Sequence, residues 1–262
     1  MPLSKEQINS VEKVLKVSLR NKFKEYKPEA DAKPFQTRLL GQDRLALYAF
    51  IHSLNTNFGT TVFEPVAKVI AEKRFSKVEI QMDAPKYISL RAQGIIQNIM
   101  DDLISGIVSP NKKEEIIKVK KVSKTGESKK VKLTKIDIYL ETEDKIYMID
   151  IKAAKPNFGE FKGFKRTLLE WTAAKYLESS TKKEIISMIA IPYNPYEPEP
   201  YTRWTMRGML DLENELKVAD EFWDFLGGKN TYKDLLDCFE RVGIELRDEV
   251  DIYFKRFNKK SV

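Results

Sequence analysis

The chain has 262 residues, of which 42% are hydrophobic, enough for one large packed domain or two small ones. Its formal net charge of +7 favours an anionic partner. The single cysteine, Cys238, excludes an internal disulfide framework and a cysteine-rich zinc site, and the single histidine, His52, argues against a histidine metal centre. We see no signal peptide and no apolar run of about 18 residues, so we expect a soluble cytoplasmic protein.

The N-terminal part of the chain is predicted to be helical. Apolar residues from Ser4 to Lys27 recur at helical spacing, with Ser4 as the cap, and the following segment KPEADAKP breaks this helix. Residues Gln42 to Leu54 predict a buried helix that is interrupted at Asn55 to Gly59. His52 is therefore expected to be a core histidine rather than a catalytic one.

A further helix is expected to start near Thr61, and its first residues allow two interpretations of Glu64. Thr61 and Glu64 fit a capping box, in which the glutamate bonds back to the cap amide. Pro65 prefers the first helical position, which would move the cap to Glu64 itself. Helical spacing then predicts another helix from Ser89 to Ser105.

Residues Lys112 to Lys135 are dense in lysine and alternate with apolar residues, which predicts a strand and a turn. A lysine-rich edge of this kind is usually solvated and discourages strands from aggregating. After it, Val131 to Glu141 and Lys145 to Ala153 are rich in β-branched and aromatic residues and predict a hairpin.

The hairpin is predicted to bring charged side chains together. If Glu143 and Asp144 form a two-residue loop, Asp137 lies directly opposite Asp150, and Lys152 shares the face of Asp150. Like charges placed opposite each other destabilise a sheet unless they are solvated or hold a cation, and the neighbouring isoleucines argue against full solvation. A one-residue slip of the register would separate the two carboxylates.

The C-terminal part is predicted to contain a helix from Glu160 to Ser179 and a buried strand from Ile185 to Ile191. Residues Pro192 to Trp204 hold several prolines and tyrosines, which exclude regular structure. The remainder predicts three helices, over Met206 to Leu226, Thr231 to Val242 and Leu246 to Phe257.

The hairpin motif resembles the PD-(D/E)XK nuclease superfamily. Asp137 is followed, after a gap of twelve residues, by Asp150-Ile151-Lys152 on an apolar strand, although Ile136 replaces the usual proline. Three longer phrases are similar to the TdeIII family of type II restriction endonucleases, covering about Pro34 to Leu226. The phrases are PFQTRLLGQDRLALYAFIHSLNTNFGTTVFEPVA, IDIKAAKPNFGEFKGFKRTLLEW and YTRWTMRGMLD.

This resemblance implies an α/β (α+β) fold of the restriction-endonuclease type. A mixed central sheet would be flanked by helices, with additional helices at the N- and C-termini. We expect one endonuclease domain over residues 1–262. It would comprise an N-terminal helical arm at 1–33, a catalytic core at 43–192 and a C-terminal loop with helices at 193–262.

The resemblance also implies Mg²⁺-dependent cleavage of double-stranded DNA at a short palindrome, of the GGNCC type. Asp137, Asp150, the carbonyl of Ile151 and, as a third carboxylate, Glu64 would hold the metal, and Lys152 would stabilise developing charge. A palindromic site favours a homodimer, and a companion methyltransferase would protect host DNA. The residues proposed to contact DNA are Tyr201, Arg203, Trp204 and Arg207.

The residues leave several alternatives open. A repair or junction-resolving nuclease would carry the same catalytic residues, whereas a basic DNA-binding protein would use its lysines on phosphates without cleaving them. A structural protein would owe the hairpin charges to surface solubility. Residues Pro192 to Trp204 could equally form a loop packed by its own aromatic side chains, without contacting DNA.

Overall fold

The computed structural model describes residues 3–26, 34–152, 155–156, 159–202 and 208–255. Its centre is a five-stranded sheet with helices packed on both faces. The strands are β1 Lys77–Met82, β2 Tyr87–Ser89, β3 Ser128–Lys130, β4 Ile136–Glu141, β5 Lys145–Ile151, β6 Glu184–Ile191 and β7 Leu216–Val218. The helices are α1 Lys5–Glu25, α2 Pro34–Leu40, α3 Gln42–Phe58, α4 Glu64–Ala71, α5 Leu90–Ser105, α6 Lys112–Val122, α7 Glu160–Glu178, α8 Leu212–Glu215, α9 Asp220–Gly227, α10 Thr231–Glu245 and α11 Arg247–Lys255.

The central sheet is mixed, as the sequence predicts. Its strand order is β1-β4-β5-β6-β7, with antiparallel pairing from β1 to β5 and parallel pairing from β5 to β7. Parallel neighbours need a long crossover connection, and α7 supplies it between β5 and β6. Within the described residues, no helix is both long enough and apolar enough to cross a lipid bilayer.

The hairpin of β4 and β5 has the predicted register. Ile138 pairs with Ile149, and the backbone amide of Thr142 donates to the carbonyl of Lys145 at 2.9 Å, which closes a two-residue loop. The Thr142 hydroxyl accepts from the Lys145 amide at 3.0 Å and donates to the Asp144 carboxylate at 2.8 Å. These side-chain bonds hold a tight turn that has no glycine. The β4 strand begins at Ile136, five residues later than predicted.

The two faces of the sheet have separate apolar cores. Tyr139 and Met148 lie in the core covered by α5 and α7, whereas Leu140 and Ile149 lie in the core covered by α4, α9 and α10. Because side chains alternate along a strand, Asp150 shares the face of Met148. Helix α7 therefore covers the face of β5 that bears Asp150.

The lysine-rich segment before the hairpin forms helix α6, so the predicted strand from Lys112 is wrong. Asn111 caps this helix by accepting from the Glu114 amide at 3.1 Å, and Val119 is buried against the neighbouring helices. In a segment as short as Lys112–Val122, a mixture of lysine and apolar residues is compatible with a helix that buries one face as well as with a strand. The short strand β3 follows, with its lysines exposed.

The region after α1 also departs from the prediction. Helix α3 continues through Asn55 to Phe58, and a π-helical turn, Gly59–Phe63, joins it to α4 at Glu64. His52 is exposed and stacks on Tyr48, so it is not a core histidine. The α3 helix is buried on one side only.

Two strands of the central sheet were not predicted. Strand β1 alternates Val78, Ile80 and Met82 with polar residues, a period-two signal that could have located it. Strand β7 and the helices α8 and α9 replace the single helix predicted from Met206 to Leu226. Three-residue strands such as β7 depend on their neighbours, since they carry too few residues to show a pattern.

A buried network of four charged side chains anchors α7. The Glu215 carboxylate accepts from Lys112 at 2.9 Å and from Lys165 at 2.6 Å, and Lys165 also pairs with Glu115. Ser187 on β6 accepts a further bond from Lys112 at 2.8 Å. Two ammonium groups and two carboxylates balance, which is the condition under which buried charges are tolerated. The network joins α6, α7, α8 and β6.

Replacing Glu215 with glutamine should leave two buried ammonium groups facing one carboxylate. We expect Glu215→Gln to lower the free energy of unfolding by roughly 3–5 kcal/mol, as measured by urea denaturation. The matched control is Glu249→Gln, which breaks an exposed ion pair with Arg20 and should change stability little. Similar losses in the two variants would contradict this account of the network.

Candidate active site

The three predicted hairpin residues lie together at one end of the central sheet. The Lys152 ammonium is 2.9 Å from Oδ1 of Asp150, and the backbone amide of Ile151 donates to Oδ2 of Asp137 at 2.8 Å. Asp137 follows the first residue of β4 and Asp150 precedes the last residue of β5, so the hairpin register sets them side by side. The prediction that these side chains converge is confirmed.

The environment of Asp150 opposes its ionisation. The pKa of Asp150 is raised to about 7, chiefly by burial, with the charge and hydrogen bond of Lys152 acting to lower it and the nearby Asp137 carboxylate acting to raise it. One ammonium group therefore does not compensate the two carboxylates. The Asp137 and Asp150 carboxylates therefore carry more negative charge than Lys152 neutralises.

Glu64 belongs to the same cluster, and it does not cap a helix. Helix α4 has no side-chain cap, and the Thr61 hydroxyl donates to the carbonyl of Asn57 at 2.8 Å, so the capping-box interpretation is wrong. The Glu64 side chain is buried, and burial raises its pKa to about 7, with an added contribution from Asp137. Pro65 occupies the first turn, and this places Glu64 at the very start of α4.

Gln81 joins Glu64 to the aspartates, and the sequence analysis did not identify it. Its amide nitrogen lies 3.0 Å and 2.9 Å from the two carboxylate oxygens of Glu64 and 3.2 Å from Oδ1 of Asp137. The amide group is a neutral donor that can bond both carboxylates at once. Glu64 and Asp137 thus accept from the same nitrogen.

The backbone of Gln81 interrupts the ladder between β1 and β4. Ile80 pairs with Ile138 and Met82 pairs with Ile136, while Gln81 has a φ of +52° in the left-handed region. That conformation is uncommon for a residue with a Cβ atom and is found preferentially at functional sites. The irregularity occurs at the position where the Gln81 amide meets both carboxylates.

A cleft of about 460 Å³ opens beside these residues. The Lys152 ammonium lies 4.7 Å from the centre of the Phe164 ring, and the Lys152 backbone amide is bonded to the carbonyl of Ala190 at 2.9 Å. The cleft is lined by Thr134, Lys135, Asp137, Asp150, Lys152, Glu160, Gly163, Phe164 and Thr167.

Comparison with known proteins identifies the family. A family model described as "Type II restriction endonuclease, HinfI" matches residues 3–243. The chain belongs to the HinfI family of type II restriction endonucleases. The predicted resemblance to type II restriction endonucleases is thereby confirmed, although the matched family is named for HinfI rather than for TdeIII.

Curated relatives carry names of the same kind. The type II restriction enzyme MjaII of Methanocaldococcus jannaschii is 30% identical over 213 residues, which are 76% of this chain and 55% of that enzyme. HgiCII of Herpetosiphon aurantiacus is 27% identical over 231 residues, 85% of this chain and 81% of that enzyme. HgiEI of the same organism is 23% identical over 227 residues, with 85% and 81% covered. The chain thus spans about half the length of MjaII and most of the length of the other two.

The residues of the HinfI-family cleft fit a hard divalent cation. Asp137 and Asp150 offer carboxylate oxygens, the ligands that Mg²⁺ prefers, and their site is short of positive charge. Across the described part of the chain, no three histidine, cysteine, aspartate or glutamate side chains form a ready-made metal cluster. Glu64 reaches the aspartates through the Gln81 amide.

The residues proposed for DNA contact are only partly described. Tyr201 is half-buried, packs against the core on the α7 side and lies 5.8 Å from the ring of Tyr196. Arg203, Trp204 and Arg207 lie outside the described residues. Tyr201 therefore contributes packing within the loop.

The raised pKa values predict how stability depends on pH in the absence of divalent ions. Glu64 and Asp150 have folded-state pKa values of about 7, above their ordinary 4.5 and 3.8, so the folded state binds more protons between these values. Their contribution to stability is complete only below pH 3.8, declines as the pH rises above the ordinary pKa values, and is lost as the pH rises through 7. We expect the free energy of unfolding to fall by roughly 1–3 kcal/mol between pH 5 and pH 8 from this source, in buffer with EDTA.

The double variant Glu64→Gln/Asp150→Asn removes both titrating groups and should lose this part of the pH dependence. Asp237→Asn, at an exposed position on α10, is the matched control and should retain this pH dependence. An unchanged slope in the double variant would show that other groups produce the pH dependence.

Proposed function

We propose that this chain hydrolyses phosphodiester bonds of double-stranded DNA in a Mg²⁺-dependent reaction at a short palindromic site. The observation that carries the proposal is the convergence of Asp137, Asp150 and Lys152 beside an open cleft. Membership of the HinfI family supports site-specific cleavage. A carboxylate pair with a neighbouring ammonium suits attack by water on a phosphate, because it combines ligands for a cation with a donor for the developing negative charge.

Asp137, Asp150 and Glu64, with the carbonyl of Ile151, are the proposed ligands of Mg²⁺. When bound there, the ion would polarise the phosphate and lower the pKa of a coordinated water. The backbone amide of Ile151 orients Asp137, since it donates to Oδ2 and leaves Oδ1 for other partners. Gln81 holds Glu64 beside the pair.

Lys152 is proposed to act on the reacting groups directly. Its ammonium is partly exposed to the cleft and lies against Asp150, so it can donate to the attacking water and to a phosphate oxygen. As water attacks, it forms a phosphorus–oxygen bond and gives up a proton to solvent, while the bond to the leaving sugar oxygen breaks and that oxygen takes up a proton from solvent. Negative charge grows on the phosphate oxygens during this step. A fixed cationic donor stabilises that charge.

Several lysines of the chain, one of them in the cleft, suit contact with a DNA backbone. Lys135 lines the cleft, and Lys155 lies 5.0 Å from the ring of Tyr196 just beyond β5. Lys129 and Lys130 are exposed on β3. Such lysines contact phosphates without reading sequence, so binding should weaken as salt increases. Base contacts are assigned to Tyr201, Arg203, Trp204 and Arg207, with arginine paired to guanine as the expected interaction.

The recognition sequence is proposed to be GGNCC, following the TdeIII resemblance. A twofold palindrome favours a homodimer that cuts both strands, with a companion methyltransferase protecting the DNA of the same cytoplasm. Residues 1–262 are proposed to act as one endonuclease domain. In support, Leu3 and Val11, at the start of the N-terminal arm, are buried in the core that contains α4 and α10.

Incubation with plasmid DNA and Mg²⁺ tests the proposal. We expect discrete fragments whose sequenced ends all fall at one short palindrome, with no cleavage in EDTA. Cleavage at branched or random positions would favour a repair or junction-resolving nuclease instead. DNA binding without any cleavage, over a range of divalent ions, would contradict the assignment.

Lys152→Ala and Asp150→Asn are each expected to reduce the cleavage rate by at least about 1000-fold, because each removes a group that acts on the transition state or its cation. Both variants should still bind the site in a gel-shift assay. The matched controls are Lys233→Ala and Asp237→Asn, which change the same residue types at exposed positions on α10 and should cleave at the normal rate. Wild-type turnover by Lys152→Ala or Asp150→Asn would refute the assigned roles.

Glu64→Gln should lower the cleavage rate by roughly 100-fold, because a neutral amide is a weaker ligand for Mg²⁺ than a carboxylate. A second measurement does not depend on activity. Mg²⁺ should raise the melting temperature of the wild-type protein at pH 8 by mass action, and Glu64→Gln should need more Mg²⁺ for the same shift. Equal activity and equal Mg²⁺ dependence would assign Glu64 a structural role only.

A further inference from the structure

The helix pair α2 and α3 carries apolar side chains on a side that no other described part of the protomer covers. The central stretch of α3, residues 45–51, is apolar without interruption and so covers the whole circumference of the helix for two turns, a pattern typical of a helix that is buried on all sides. Among the described residues, neighbours cover one side of α3, where Ala46 and Phe50 are buried and Phe50 packs on Phe23 and Tyr253. Another side of α3 faces solvent, where the exposed fraction is 43% for Leu47, 61% for Tyr48 and 47% for Ile51.

Helix α2 extends this exposed surface. None of its seven residues is buried, and the exposed fraction is 84% for Phe35, 83% for Leu39 and 45% for Leu40. A helix of two turns is unstable in water without a packing partner. We define the α2–α3 face as the surface of these six side chains: Phe35, Leu39, Leu40, Leu47, Tyr48 and Ile51.

We propose that the α2–α3 face is the surface through which two copies of this chain associate. The proposal rests on the proposed function, because a palindromic DNA site calls for two cleavage centres related by a twofold axis. A twofold interface places the same surface of both copies in contact, and an apolar face can be complementary to itself.

The area of the face is suited to a dimer. Its six side chains expose on the order of 600 Å² per protomer, given that a large aromatic side chain can bury about 150–250 Å². A stable interface takes about 800 Å² from each partner, and the rim around this core can supply the difference. Monomeric proteins seldom expose a connected apolar surface of this size.

The charge of the face also permits self-association. Two copies of a chain with net charge +7 repel each other, so contact through a lysine-rich surface would be unfavourable. The six side chains of the α2–α3 face are uncharged. The nearby Arg44 folds back to donate to the carbonyl of Leu40 at 2.9 Å, within its own protomer.

The connection between α3 and α4 links this face to the candidate active site. Helix α3 ends at Phe58, and the π-helical turn Gly59–Phe63 leads directly to Glu64 at the start of α4. The interface helix and the Glu64 carboxylate are therefore separated by a single helical turn. A dimer formed through α3 would set the distance between two catalytic centres, and hence the spacing of the two strand cuts.

The mass of the full-length protein in solution, without DNA or divalent ions, tests the proposal. We expect wild type to have the mass of two chains in sedimentation equilibrium, and Leu47→Glu/Ile51→Glu to weaken self-association at least 100-fold. Ile117→Glu is the matched control, since Ile117 is exposed on α6 and its variant should remain dimeric. Circular dichroism and the melting temperature should show that all three proteins are folded.

Other outcomes separate the possible occupants of the face. A wild-type monomer, both alone and bound to duplex DNA, would overturn the proposal and favour coverage by residues 27–33 or 256–262 of the same chain. A variant that stays dimeric but binds DNA more weakly would assign the face to DNA and also overturn it. The mass measurement does not depend on cleavage, so the two proposals can fail separately. A dimer that does not cut DNA would contradict the proposed function but not this inference. A monomer that cuts DNA would contradict this inference but not the proposed function.

Discussion

The organisation of the candidate site depends on holding two carboxylates against each other at the end of a hairpin. Asp137 and Asp150 repel, and burial makes the repulsion stronger because little water screens it. The tight loop at Glu143 and Asp144 fixes the register that brings them together. The Ile151 amide and the Lys152 ammonium each bond one of the two, and the remaining deficit of positive charge is what a divalent cation would supply.

Surrounding elements keep this unfavourable arrangement in place. The buried network around Glu215 ties α7 to the sheet, and the first turns of α7 form one wall of the cleft. The edge strand β1, which lies next to β4, contributes Gln81, whose amide holds Glu64 near Asp137. The raised pKa values of Glu64 and Asp150 indicate that burial opposes the ionised carboxylates of this site, and perturbed pKa values of this kind cluster at catalytic centres.

The path from α3 to α4 connects assembly with chemistry. Glu64 is the first residue of α4, and the π-helical turn before it continues the same backbone that carries the exposed α2–α3 face. A π-helical turn is rare and is found most often near functional sites. If two copies meet through α3, the position of each Glu64 relative to the twofold axis is set by this one connection.

The hairpin could be predicted from the sequence alone because its determinants are local. Two apolar strands separated by Glu143 and Asp144 specify the pairing, and the period of two then places Asp137 opposite Asp150 with Lys152 on the same face. Helices α5 and α7 and strand β6 were predicted for the same reason, since cap residues and apolar spacing lie within each element. These patterns, with the longer family phrases, also indicated a type II restriction endonuclease.

Features that depend on contacts distant in sequence were decided by the tertiary structure. Gln81 meets Glu64 across 17 positions and Asp137 across 56, so no local pattern could identify it. The Glu64 capping box fitted the local sequence, but the carboxylate is buried among partners from other elements. The segment predicted as a strand from Lys112 is a helix, and its first residue finds a buried partner in Glu215, 103 residues away. Local sequence determines periodicity, whereas only the fold determines which side chains meet.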